Sequence, residues 1–234
     1  MYNFIKANKT YSWSTFYDQK QYNKQLINYH GNTQYIDSQA IDSFFISQCS
    51  FYNSSAPYGG AIGIQATSDD VKILIEDSIF LNCRSTENQY RGGAISFPIG
   101  KGQFVIIRSC GDSCCMLNSK GLGGQFLYSF TSLGEKNQNC IMFCSIIECG
   151  SANNNDIQQE NKRTPLYANC GNQTLKHLNI SRNKCYRTST IGLMGDYSEG
   201  KSYDNIISYC IIEGNVNYDE YILYFDYARS YNVK

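Results

Sequence analysis

A chain of 234 residues with 42% apolar content is long enough for one hydrophobic core and short for two. Lys and Arg together number 20, as do Asp and Glu, which excludes a basic nucleic-acid face or an acidic tail as the main theme. No run of about eighteen apolar residues occurs, so no membrane-spanning helix is read, and three prolines beside 19 glycines and 20 tyrosines exclude a disordered composition.

Residues 1–32 are rich in Tyr and Asn and carry no repeated motif. The first twenty, MYNFIKANKTYSWSTFYDQK, lack the apolar stretch of a secretory signal. Ser14-Thr15-Phe16-Tyr17-Asp18 starts a short amphipathic helix, with Phe16, Tyr22 and Leu26 or Ile27 turned inward. This segment is expected to cap an open end of the fold, where backbone edges would otherwise be bare.

From residue 33 the sequence repeats at about thirty residues. Residues 49–64, CSFYNSSAPYGGAIGI, and 78–97, SIFLNCRSTENQYRGGAISF, share Phe-x-Asn (Phe51 to Asn53, Phe80 to Asn82), a polar stretch, then Gly-Gly-Ala-Ile. The second motif is Gly59-Gly60-Ala61-Ile62 in the first copy and Gly92-Gly93-Ala94-Ile95 in the next. A third copy leads from Ile106 through Cys110 to Gly123-Gly124-Gln125-Phe126-Leu127, and the apolar beat continues through 140–149, 175–185 and 205–215. The repeated pieces VKILIEDSIF, QFVIIRSC, NIISYCII and EYILYF are too short for helices, rich in Ile, Val, Phe and Tyr, and bounded by Gly, Asn, Asp and Ser. They are strands. Stacking them predicts an all-β fold, a right-handed parallel β-helix of about six coils over 33–228, with a short tail at 229–234.

In such a stack equivalent positions lie about 4.8 Å apart. Phe51 and Phe80 are expected to pile up inside. Asn53, Asn82 and Asn183 are expected at a bend, their amides forming an inward ladder. The glycine pairs supply a corner that a Cβ would obstruct. Ala61-Ile62 and Ala94-Ile95 open the next strand, with Ile in the core, and Cys83 and Cys114 stack one place beyond the Asn position.

Eleven cysteines cannot all pair internally, and their spacing contains no CxxC. No metal site and no cofactor is expected; most of the thiols are small buried groups with weak S–H donors. Cys114 and Cys115 are adjacent, so one of them is expected to face outward. Residues 195–202, GDYSEGKS, satisfy a phosphate-loop pattern. Asp196 and Glu199 would set negative charge beside a phosphate, and the following DNIISYC matches the strands of other turns, so the match is rejected. Enzyme candidates reduce to the acidic pairs Asp69-Asp70 and Asp219-Glu220, in turns, and to His177, isolated in LKHLN. Asn8, Asn53, Asn172 and Asn179 lie in N-x-[ST] sequons, although an inward Asn53 could carry no glycan.

The pairing of Phe-x-Asn with Gly-Gly-Ala-Ile resembles the repeat of the polymorphic membrane protein family. Its members are surface-exposed right-handed parallel β-helices of bacterial outer membranes, with similar repeats in the surface proteins of parasitic protists. The resemblance is specific over 49–64 and 78–97 and weaker over most of 40–225; Asn stands two places after Phe here, against three in the family. It implies a cell-surface or extracellular setting. The expected role is a non-catalytic repeat module for adhesion or interaction, whose partner is a protein or glycan surface, with room for stacking against further repeats. The alternative is a β-helix polysaccharide lyase or hydrolase.

Overall fold

The computed structural model describes residues 13–17, 22–38, 43–66, 71–86, 92–98, 102–117, 123–130, 138–150, 163–169, 171–185, 190–194, 204–217, 222–226 and 230–233. They form a parallel β-solenoid with three long sheets of eight, seven and seven strands. In each coil a strand of the first sheet (Ser43–Ser47, for example) bends into one of the second (Ser50–Tyr52), and a longer path leads to the third (Ile62–Ala66). Two-residue strands such as Ser55–Ala56 and Arg84–Ser85 pair along the corner after the second sheet. The run read as a strand in VKILIEDSIF forms the strand Lys72–Glu76.

Strand pairing reaches beyond residues 33–228 at both ends. Lys24–Ile27 and His30–Gly31 already pair with the coil above them, inside the segment assigned to a cap, and Ser230–Val233 pairs with Asp204–Ile207 where a tail was expected. These rungs lack the glycine and Phe-x-Asn motifs. Backbone pairing needs only an extended segment in register, so no motif marks them.

Inward positions superpose in columns. On the first sheet Ile46, Ile75, Ile106, Ile141, Leu175 and Ile207 follow one another in register, and on the third Ile62, Ile95, Leu127, Leu166 and Ile191. Stacked β-branched and Leu side chains fill the interior without alternation of size, because each coil meets a copy of itself. Phe51 and Phe80 stack face to face, 5.3 Å between centroids and 3° between planes, both fully buried.

The glycine pairs are explained by close approach. A Cβ on Gly92 would fall on the carbonyl of Ile95, and one on Gly93 on the carbonyl of Gln125 in the next coil. Of Gly59, Gly60, Gly92 and Gly93, only Gly59 has positive φ, at 68°. Ala61 and Ala94 are as fully buried as Ile62 and Ile95.

The described part of the N-terminal segment covers a side of the stack. Its helix is a single turn, Trp13–Phe16, and with Tyr17 and Tyr22 it lies on the outer face of the first sheet, against Phe45, Leu74, Val105 and Ile107. Tyr17 donates to the carbonyl of Ile73 at 2.6 Å, and Tyr22 stacks on Phe45 at 4.7 Å. The cause is visible in KILI and FVII: these runs are apolar on both faces, so the outward Leu74 and Val105 need cover that the coil interior cannot give.

Candidate interaction edge at the strand corners

Each described coil from Ser43 onward turns twice through a single residue of left-handed backbone, and the coil before it does so once, at Asn28. Between the first and second sheets the row is Asn28, Gln48, Asp77, Arg108, Phe143, His177 and Tyr209, with φ from 48° to 56°. After the second sheet it is Asn53, Asn82, Ser113, Glu148, Arg182 and Gly214, with φ from 50° to 62°. Where the next residue is Ser or Cys, it points inward and locks the bend by donating to the carbonyl two residues back: Ser78 to Glu76 at 2.8 Å, Ser109 to Ile107 at 3.0 Å, Cys49 to Ser47 at 3.2 Å, Cys144 to Met142 at 3.2 Å. Cys114 does the same to Asp112 at 3.4 Å in the second corner. Ser and Cys are interchangeable there because the site needs one short side chain with one donor.

That explains the cysteines. Cys83, Cys114 and Cys149 occupy successive coils of the second corner column, all fully buried. Asn183 belongs to this column, not to that of Asn82. Its Nδ2 donates to Asn215 Oδ1 at 2.8 Å, and Asn215 in turn donates to the carbonyl of Ile180. The inward amide ladder therefore exists at Asn183 and Asn215, while Asn53 and Asn82 bond to each other on the outside. Cys115 is also buried, at 1% exposure, so neither member of the Cys114–Cys115 pair faces solvent.

Burial pushes the Cys110 thiol up to about 11 and Cys144 to about 12. The folded state keeps these protons where an unfolded thiol loses them, so this contribution to stability is whole below an ordinary thiol pKa of about 8.5 and is lost as pH rises toward 11–12. Cys144→Ser, which places at this corner the residue found at 78 and 109, should fold and make the decline of the urea midpoint between pH 8 and 11 shallower. In the native protein Cys83 and Cys114 should resist alkylation until unfolding. Rapid native labelling of both, or an unchanged decline in the variant, would refute the buried-donor role.

On the first corner row the side chains leave the pattern that backbone strain favours. Asn and Asp tolerate left-handed φ, whereas other L-residues lose about 1–2 kcal/mol there. Arg108, Phe143, His177 and Tyr209 nevertheless occupy consecutive coils. Arg108 grips Asp77 through Nε and Nη2, both at 2.8 Å, and reaches Glu76 at 3.1 Å. Desolvation by burial holds the Glu76 carboxyl above its ordinary value, against the pull of Arg108. Beyond Arg108 the row is aromatic: Phe143 stacks on His177 at 4.7 Å and 5°, and His177 on Tyr209 at 5.0 Å and 8°. Tyr209 is 67% exposed and His177 is exposed, so the ladder ends on an open ring.

The tyrosines divide between interior and surface. Tyr128 and Tyr167 stack at 5.6 Å but are buried, and Tyr17 is buried under the N-terminal turn; Tyr52 and Tyr209 are exposed. His177, read as isolated, is the centre of a stack. The signal for the row was a large residue directly before a small corner residue or Leu, in MFC, KHL and SYC, but it is legible only once the corner is known. Asp69-Asp70, Asp219-Glu220 and 195–202 lie outside the described residues. Among the described residues no three His, Cys, Asp or Glu side chains group as a metal site, and no helix is long and apolar enough to cross a membrane. In comparison with known proteins, no family model and no curated sequence matches the chain.

Proposed function

We propose that the chain is a non-catalytic interaction module, a β-solenoid that holds a partner along its first corner row. The observation that carries this reading is the run of Phe143, His177 and Tyr209 at positive φ, stacked on one another, with Phe143 half-buried and His177 and Tyr209 exposed. Stacking returns about 0.5–1.5 kcal/mol per ring pair, which at best offsets the backbone strain, so Asn would serve the fold as well. Strained residues concentrate where binding uses them, and side chains at the bends of a rigid repeat are free to vary while the interior is not. The Phe-x-Asn and Gly-Gly-Ala-Ile repeats support a cell-surface setting by their likeness to polymorphic membrane proteins, with a protein or glycan surface as partner.

The test compares the purified chain with a triple variant, Phe143→Asn, His177→Asn, Tyr209→Asn, on glycan arrays and on intact cells. Binding should fall at least tenfold while the urea midpoint holds or rises, because Asn accepts the left-handed backbone. Equal binding by both proteins removes the row from the function. Turnover of a polysaccharide, lost on changing Asp69 and Asp70 or Asp219 and Glu220, would replace this reading with the lyase or hydrolase alternative.

A further inference from the structure

Of the sequons at Asn53, Asn172 and Asn179, the second and third begin strands and are half-buried, and Asn179 Oδ1 is enclosed without a partner. Asn53 differs. It stands exposed on the second corner, among the exposed Ser55 and Pro57 and beside Tyr52 at 43%.

Its amide is also oriented. Arg84 donates through Nε and Nη2 to Asn82 Oδ1, at 3.1 and 2.9 Å. A guanidinium cannot accept, so the Asn82 carbonyl oxygen must face Arg84 and its NH2 must face the preceding coil. There Asn82 Nδ2 donates to Asn53 Oδ1. The oxygen of Asn53 is thus tied down along the row, and Asn53 Nδ2 forms no hydrogen bond among the described residues.

We infer that Asn53 is an N-glycosylation site of this protein, and that the folded corner holds the sugar without rearrangement. In the transfer, a bond forms between Asn53 Nδ2 and C1 of the first sugar of a lipid-pyrophosphate-linked oligosaccharide. The C1–oxygen bond to the pyrophosphate breaks, the amide nitrogen loses one proton, and the lipid pyrophosphate leaves. The product is a secondary amide whose oxygen still accepts from Asn82, so the Arg84–Asn82–Asn53 chain survives. The glycan would project from the second corner, leaving the aromatic row of the first corner clear.

The site rests on the surface reading only for its natural setting, so the experiment supplies a setting of its own. The full chain is produced behind a heterologous secretion signal in a eukaryotic secretory host, and the soluble fraction with protected thiols is isolated. Amidase release in heavy-oxygen water, followed by mass spectrometry, marks each formerly glycosylated Asn as Asp. Asn53 should be marked in the folded fraction. Asn53→Gln and Ser55→Ala should each remove that mark, the second without touching the Asn53–Asn82 bond. An unmarked Asn53 in folded protein, or a mark found only in aggregated chains, overturns the site. Binding by the aromatic row is measured on unglycosylated protein, so the two readings fail separately.

Discussion

Phe80→Ala should lower the stability of the chain by about 3–5 kcal/mol, the range for removing a large side chain from a packed core. Phe80 is fully buried, lies face to face on Phe51 and takes the Phe126 ring on its edge at 5.7 Å and 69°. The cavity would open between coils whose backbones are tied by parallel hydrogen bonds on both sides, to Phe51 and to Gly111. The walls therefore have little freedom to collapse, which places the cost toward the upper end. Urea unfolding followed by circular dichroism measures it. A loss below about 1 kcal/mol would falsify the interior assignment.

A comparable and less intuitive effect is expected at Gly111. It follows Phe51 and Phe80 in register, so pattern logic would extend the stack with a third Phe. The structure forbids that. Phe126, entering from the third sheet at the place of Ala94, fills the space over Gly111, and a Cβ there would run into its ring. Gly111→Phe alone should cost about 3 kcal/mol or more, since overpacking forces backbone shifts. Phe126→Ala alone should cost about 3–5 kcal/mol through the cavity left behind. The double variant should be better than the sum of the two by at least about 1 kcal/mol, because the new ring enters the vacated volume. Strict additivity would show that the two residues do not share that space.

The N-terminal side of the same stack has the same arrangement. Gly31 pairs with Phe51, and a Cβ on it would press on Tyr29, whose ring meets Phe51 at 5.5 Å. At each end of the two-Phe stack, then, a glycine yields to an aromatic ring from another position. A single sequence shows the glycine as a broken motif; the packing shows it as the place of a different ring.

The thirty-residue beat, the short Ile- and Phe-rich runs and the recurrence of Phe51 with Phe80 were enough to read a stacked β-fold, because alternation within a strand states which side chains face in. What they could not state was phase across a corner. One left-handed residue reverses the alternation, so Asn53 and Asn82 look outward where an inward ladder was expected, and the following residues, from Cys83 to Asn183, hold the interior. Coil lengths also vary with the loops, so residues such as Phe143, His177 and Tyr209 become neighbours only when the coils superpose. The place of the N-terminal turn was likewise decided by tertiary packing: Leu74 and Val105 turned out of the first sheet, and Trp13, Phe16, Tyr17 and Tyr22 exclude water from them.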